Sequence, residues 1–266
     1  MVNFLISGIK EVSAGKTTIA RALIRLFNEK ELEVSGFKPR SGNNIWYHWK
    51  LVKEGLKRGT IFSKDAKFIR EEMNEKIPLT LINPVHRLWT PGNKKSPWSS
   101  LPHFLLDRIT LKEKQYVILN QKQQLPVKKK YFENLFEQSE ILKVSTRDDL
   151  QNYTKLYNEA TFQAEKSISK SFKNVIYESY SDIALPFRGI SHLDFVFVSQ
   201  PFQIDIYKGE RYLKALELTS SLPVEQSTDN VIESIKPIHT LEVTPFDVDI
   251  IDNTKNLLRP ILEEII

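Results

Sequence analysis

The segment from Gly8 to Thr18, with the sequence GIKEVSAGKTT, contains residue types that can bind phosphate. It follows a short, mostly apolar run from Val2 to Ile6 and opens a stretch of helical period. A glycine lets the backbone pass close to phosphate oxygens, and the amides at a helix start point at an anion that the helix dipole favours. Lys16 can reach the β- and γ-phosphates, and the Thr17 hydroxyl can ligate Mg²⁺.

This order of strand, loop and helix is the context that a P-loop requires. The predicted phosphate-binding residues are Gly8, Ser13, Ala14, Gly15, Lys16, Thr17 and Thr18. The spacing differs from G-x-x-x-x-G-K-[ST], because its first glycine would stand at Lys10, two residues after Gly8. The alternative is a chance Gly-Lys-Thr-Thr at an ordinary helix start. We interpret Lys10 and Glu11 as solvent-exposed loop residues, although either could reach across the phosphates or a dimer interface.

The first residues predict a βαβ unit, with strands at 2–6 and 33–37 and a helix at 17–28. Such a unit implies a parallel sheet with a right-handed crossover. The alternation continues along the chain and predicts an α/β protein with a mostly parallel sheet. We expect one domain over residues 1–266, with an insertion at 101–145 formed by a hairpin and a helix.

The other predicted elements depend on local period and on proline. Strands are predicted at 174–178, 193–198 and 241–243, and a hairpin at 107–119. Helices are predicted at 46–56, 64–75, 148–172 and 205–218, and again around Pro260, where the C-terminal helix must bend or restart. Four prolines between residues 83 and 102 predict a loop.

Charge is distributed unevenly in a chain with a net charge of +5 and a pI of about 9.1. Residues 38–100 contain 13 basic and 5 acidic side chains, whereas residues 237–266 contain 2 and 6. The basic half favours an anionic ligand, and the alternative is simply a soluble basic surface. The run Lys128–Lys130 could touch nucleic acid, but it is more typical of a solvated helix start, so a nucleic-acid partner is not expected.

Composition excludes several classes of site. Cysteine is absent, which excludes a disulfide framework, thiolate zinc sites and a cysteine nucleophile. The apolar runs are too short to span a bilayer, and the N-terminus lacks a signal-peptide pattern. We therefore expect a cytoplasmic protein without a membrane partner.

Three segments after the P-loop resemble, in order, those of dethiobiotin synthetases. The sequence GFKPRSG at 36–42 resembles the family's G-Y/F-K-P-V-x-S-G. Residues 64–66 resemble the start of its S-D-A helix, and residues 82–85 resemble its V-N-P-Y. Residues 175–179, followed by a proline, stand in the place of V-E-G-A-G-G…P. The resemblance runs from about residue 2 to residue 202.

This resemblance implies a doubly wound P-loop fold with three α/β/α layers, often a homodimer, whose members use ATP and Mg²⁺ to activate a carboxylate or carbamate. The residues that it implies are, for the metal, Thr17, Asp65 and Glu178, for catalysis Lys16 and Lys38, and for the second substrate Lys38 and Ser41. Asp65 near a helix start and Glu178 at a strand end would point to the crevice where α/β folds bind ligands. Their carboxylates suit a hard cation.

Each of these residues also has a simpler interpretation. Asp65 could merely cap its helix, since aspartate is favoured there. Glu178 could be an ordinary strand-end acid, and Lys38 a surface lysine. Ser41 is followed by glycine, which is also a common turn pair.

The departures from the family concern the substrate. Its G-A-G-G is replaced here by Ser179–Asp182, which adds a bulky ring and a negative charge. Thr244–Phe246 resembles only a fragment of its base-recognition motif. We therefore expect a Mg²⁺-dependent, ATP-binding, ligase- or kinase-like enzyme with a different small-molecule acceptor. The alternatives are a nucleotide-dependent switch or scaffold ATPase acting on a protein, and a nucleic-acid kinase or binder.

Overall fold

A computed structural model describes residues 2–9, 14–91, 101–219, 225–245 and 249–265. Within these ranges the strands are β1 (Asn3–Gly8), β2 (Val34–Phe37), β3 (Arg40–Asn44), β4 (Val85–Trp89), β5 (Leu106–Leu111), β6 (Lys114–Asn120), β7 (Glu140–Val144), β8 (Asn174–Glu178), β9 (Phe195–Gln200), β10 (Gln203–Lys208) and β11 (His239–Glu242). The α-helices are α1 (Lys16–Glu29), α2 (Trp49–Lys57), α3 (Lys64–Glu72), α4 (Leu79–Ile82), α5 (Glu133–Glu137), α6 (Arg147–Asn152), α7 (Thr154–Ser171), α8 (Gly209–Thr219), α9 (Thr228–Ile232) and α10 (Ile250–Ile265), and a 3₁₀ turn covers Lys129–Phe132. The predicted α/β class is confirmed, and the arrangement is compatible with three α/β/α layers.

The chain divides into two compact units. The first unit contains Met1–Pro39, Phe68–Ile77 and Ser167–Ile266, and the second contains Arg40–Lys67 and Pro78–Lys166. The second unit therefore includes the whole 101–145 segment and extends beyond it in both directions. No helix in the described part of the chain is both long and apolar enough to cross a membrane.

The sheet of the first unit has the strand order β11-β10-β9-β1-β8-β2. Strands β2, β8, β1 and β9 run parallel, whereas β10 and β11 add antiparallel pairs at one edge. Every residue of β1, β2 and β8 is buried, as expected for parallel strands that are covered on both faces. Because β1, β2 and β8 are parallel, their carboxyl ends meet at one edge, and residues that follow each strand lie close together.

The second unit contains a five-stranded sheet with the order β3-β4-β5-β6-β7. It is mixed: β3/β4 and β6/β7 are parallel, and β4/β5 and β5/β6 are antiparallel. The predicted hairpin is confirmed as β5 and β6. Leu106 and Val117 belong to one buried cluster, whereas Ile109 and Ile118 belong to another. Side chains of a strand alternate between the two faces of the sheet, so β5 and β6 contribute to two separate buried clusters.

Two of the predicted element boundaries are wrong. Strand β4 lies inside the segment 83–102, because Pro84 and Pro91 flank it and five of the six residues between them are free to pair. The predicted helix at 205–218 begins only at Gly209, since residues 203–208 pair with β9 on one side and residues 203–206 with β11 on the other. In both places pairing with residues distant in sequence decides the local structure.

Glu72 connects α3 to α1 within the first unit. Its carboxylate accepts hydrogen bonds from Arg21 Nε at 2.9 Å and from Arg25 Nε at 2.8 Å. Arg25 Nη1 also donates to Asp252 of α10 at 2.9 Å. Burial opposes the ionisation of Glu72, but the two arginines outweigh it and hold the pKa of this carboxyl below its usual value.

We expect Glu72→Gln to lower the free energy of unfolding by roughly 1–2 kcal/mol at neutral pH. A carboxyl whose pKa is lowered by folding stabilises the protein above its unfolded pKa and loses that contribution as the pH falls through the folded value. The difference between wild type and variant should therefore shrink toward zero below about pH 4. Urea unfolding at several pH values measures it, with the exposed Glu75→Gln as the matched control. A difference that persists unchanged at low pH would contradict this account.

Candidate functional site

The start of α1 has the backbone geometry that an anion site needs. Gly15 caps the helix in the left-handed region, with a φ of 95° that glycine adopts without strain. Ile19 N donates to Gly15 O at 3.1 Å, so the helix is hydrogen-bonded from its first turn. No acidic residue lies in that turn to compete with an anion for the positive end of the helix. Ser13, Lys10 and Glu11 lie outside the described residues.

Lys16 is buried, with 8% of its surface exposed, and its side chain lies over the end of β1. A Cβ atom added at Gly8 would be 3.0 Å from Lys16 Nζ and 3.2 Å from its Cδ. Gly8 therefore makes room for the lysine, although its spacing differs from the usual motif. Lys16 Nζ donates to Ser181 O at 2.7 Å, which brings the lysine to the loop after β8.

Glu178 contacts two of the other predicted site residues of the first unit, Thr17 and Lys38. It ends β8, with its backbone opposite Ile6 of β1, and only 1% of its surface is exposed. Thr17 Oγ1 donates to Glu178 Oε1 at 2.9 Å, and Lys38 Nζ donates to the same oxygen at 2.5 Å. Lys38 follows β2 and is 3% exposed, so the interpretation of it as a surface lysine is wrong.

The donor set around Glu178 fits a hard cation. A hydroxyl and a carboxylate are both oxygen ligands, and Mg²⁺ in proteins is often held by one or two carboxylates together with substrate phosphates. In the described ranges no group of three or more His, Asp or Glu side chains could form an all-protein metal cage. The residues present, Thr17 and Glu178, offer oxygen ligands of the kind that fit a hard cation.

Asp65 and Ser41 belong to the second unit. Asp65 lies in the first turn of α3, as predicted. Ser41 lies in β3, not in a turn, and its hydroxyl donates to Asn83 Oδ1 at 2.8 Å and lies 3.0 Å from His86 Nδ1. Burial and the nearby guanidinium of Arg108 hold the pKa of His86 well below its ordinary value, so the ring is neutral.

A cavity of about 340 Å³ opens directly beside Gly15 and Thr18. Its other walls include Ser199 of β9, Phe202 in the turn between β9 and β10, and Thr244 after β11. Ser199 and Phe202 are not predicted from the sequence, because their position next to the start of α1 depends on β9 pairing with β1. Thr244 falls in the segment that resembles a base-recognition fragment, while Phe246 of that segment lies outside the described residues.

The loop after Glu178 carries the residues that replace the family's glycines. Ser181 has a φ of 49°, in the left-handed region that glycine favours, so the backbone keeps a glycine-like turn. The Tyr180 hydroxyl donates to the carboxylate of Glu225. Thr228 donates to Asp182 O through both its amide, at 2.7 Å, and its hydroxyl, at 2.8 Å.

No protein-family model matches the chain, and a search of curated proteins finds no match. The resemblance to dethiobiotin synthetases therefore depends on the sequence motifs alone.

We expect the buried pair of Lys38 and Glu178 to show strong coupling in stability. Lys38→Met leaves a buried carboxylate without its cation and should cost roughly 3–5 kcal/mol. Adding Glu178→Gln removes the charge as well, so the double variant should be more stable than the sum of the single losses predicts. Denaturant unfolding of the four proteins measures the coupling. Losses that add to within about 0.5 kcal/mol would show that the two charges do not stabilise each other.

Proposed function

We propose that the protein is a P-loop enzyme that binds ATP with Mg²⁺ and transfers a phosphoryl group to a small acceptor, as a ligase- or kinase-like enzyme. The observation that carries this proposal is the convergence of Thr17 and Lys38 on one oxygen of Glu178, at the strand edge where Lys16 begins its helix. An ordinary helix start that happens to read Gly-Lys-Thr-Thr does not require a buried acid with two such partners.

The proposed roles follow from the chemistry of each side chain. Lys16 binds phosphate oxygens as a point charge beside the amides at the start of α1. Thr17 and Glu178 hold Mg²⁺, which when bound neutralises charge on the β- and γ-phosphates. Lys38 stabilises negative charge on the transferred or accepting group. In this class of reaction the protein contributes mainly positioning and charge neutralisation.

The cavity beside Gly15 supports a nucleotide rather than a simple phosphate ester as the ligand. The cavity lies next to Thr18, which in the motif contacts the α-phosphate. The nucleoside is attached to that phosphate, so the base of the ligand would lie in the cavity. The Phe202 ring, 68% exposed at this cavity, offers a flat apolar surface to a base. Adenine is proposed from the family resemblance.

The loop after Glu178 supports an acceptor that differs from the substrate of dethiobiotin synthetases. Tyr180 fills space that glycine leaves open, and its partner Glu225 brings a carboxylate to the same loop. Together with Asp182, this adds negative charge that would oppose a carboxylate or carbamate nearby. In this proposal Lys38 activates the acceptor, whereas Tyr180, Asp182 and Glu225 determine which acceptor binds.

Lys16→Ala tests the phosphate site. We expect ATP affinity to fall at least about tenfold, because a charge-assisted phosphate contact contributes roughly 1.5–3 kcal/mol. Isothermal titration calorimetry with Mg²⁺ and ATP measures the change, and circular dichroism checks the fold. Lys30→Ala, an exposed lysine just after the same helix, is the matched control and should bind as the wild type does. Unchanged affinity in a folded Lys16→Ala protein would exclude the proposal.

Glu178→Gln tests the metal site. The variant keeps the size of the side chain but removes one negative charge from a site that holds a divalent cation. We expect ATP turnover to need at least about tenfold more Mg²⁺, with metal-free nucleotide binding reduced far less. Glu75→Gln, an exposed acid, is the control, and a normal Mg²⁺ requirement in Glu178→Gln would remove this residue from the metal site.

A further inference from the structure

Two large aromatic side chains of the second unit lie almost fully in solvent. Trp46 is 76% exposed and Tyr47 is 75% exposed, in the turn that leads into α2. The turn itself is ordered, because Trp46 N donates to Asn44 Oδ1 at 2.9 Å and His48 N donates to Asn44 O at 3.0 Å. Two adjacent exposed rings on an ordered turn form a platform that no core contact explains.

The helix that follows presents a row of lysines. Lys50, Lys53 and Lys57 are spaced i, i+3 and i+7, which places them on one face of α2 over about 10 Å. The opposite face, with Val52 and Leu56, is buried in the core of the unit. The lysine face therefore points away from that core.

A second basic segment joins this face. Lys128, Lys129 and Lys130 are exposed and lead into the 3₁₀ turn that contains Tyr131. The Tyr131 ring lies 5.3 Å from that of Trp49, and Lys53 Nζ lies 5.6 Å from its centre. We call the combined surface the aromatic–basic surface; it consists of Trp46, Tyr47, Lys50, Lys53, Lys57, Lys128, Lys129 and Lys130.

The positive charge of the aromatic–basic surface is not neutralised internally. Among the residues that the structure describes, none of its six lysines forms an ion pair with a carboxylate. Glu54, the acidic residue of α2, is paired instead with Arg58 at 3.0 Å and with Lys67 at 3.1 Å. The surface is thus complementary to a polyanion.

We infer that single-stranded nucleic acid binds the aromatic–basic surface. Unpaired bases stack on the rings of Trp46 and Tyr47, and the lysines contact the phosphates of the adjoining backbone. The pattern of Lys128–Lys130 alone is that of a solvated helix start. The structure adds a second row of lysines and two exposed rings. Together these provide phosphate contacts and base stacking, the two interactions by which proteins bind single strands.

The same features fit an anionic membrane less well. Binding in a membrane interface requires a broad apolar face, whereas the apolar face of α2 is buried and only two rings project. A duplex would satisfy the lysines but would leave the rings without bases to stack on. A single strand uses every element of the surface.

The test is fluorescence anisotropy with a labelled oligouridylate of about 15 nucleotides, titrated from about 50 to 200 mM salt. Lys50→Gln/Lys53→Gln/Lys57→Gln should reduce the slope of log affinity against log salt by about two, since each single-strand phosphate contact contributes about 0.7. The control with the same charge change is Lys30→Gln/Lys170→Gln/Lys236→Gln, three exposed lysines elsewhere, which should leave the slope nearly unchanged.

The aromatic platform is tested separately. Trp46→Ala/Tyr47→Ala should weaken binding at least about 30-fold while keeping the salt slope, because two stacked bases lose their rings and stacking does not involve counterions. Phe162→Ala, an exposed ring on α7, is the matched control and should bind normally. Both rings are exposed, so the variant should fold, and circular dichroism checks this.

Four outcomes would overturn the inference. These are no oligonucleotide binding at the lowest salt, an equal effect of the two lysine triples, and wild-type affinity in the aromatic variant. The fourth is evidence that the surface binds something other than nucleic acid. Such evidence would be binding of anionic vesicles in place of the oligonucleotide, or a dimer in sedimentation that the aromatic variant converts to a monomer.

Discussion

The buried carboxylate of Glu178 is the constraint around which the first unit is organised. A carboxylate that is 1% exposed is costly unless positive charge and hydrogen-bond donors surround it. Its donors come from two separate elements, with Thr17 from the first turn of α1 and Lys38 from the end of β2. Both donors are distant from Glu178 in the sequence, since Lys38 is 140 residues away and Thr17 is 161 residues away. The contacts therefore depend on the fold.

The parallel sheet is what brings these partners together. Strands β1 and β2 both pair with β8, so the chain segments that follow all three strands leave the sheet at the same edge. The helix start after β1 then adds a positive end to that edge. A charged site at the carboxyl ends of parallel strands is therefore a consequence of the topology, and the particular residues decide what it binds.

The parts of this arrangement that could be predicted from sequence are those set by short-range patterns. Strand β8 was predicted with its observed bounds, because a continuous apolar run ends at an acid. Strand β10 was not predicted. Its residues Ile204 and Ile206 pair with β9 and β11, and these pairings are between residues that local sequence patterns do not relate. Ser199 and Phe202 were not predicted for the same reason, since the order of strands in the sheet brings them to the start of α1. The proposed metal ligand Asp65 was found at its helix start, but its part in the site stays a prediction from resemblance.

Stability alone does not account for the Lys38–Glu178 pair. Well-packed apolar side chains of similar volume often stabilise a core as much as a buried ion pair does, or more, because they carry no desolvation cost. Lys38 also precedes Pro39, which restricts it to extended backbone, so the lysine enters the interior at the point where the chain passes to the second unit. An apolar residue could fill that position at lower cost. The proposed function gives the charges a role: the carboxylate takes up a cation, and the lysine beside it neutralises an anion that arrives with that cation.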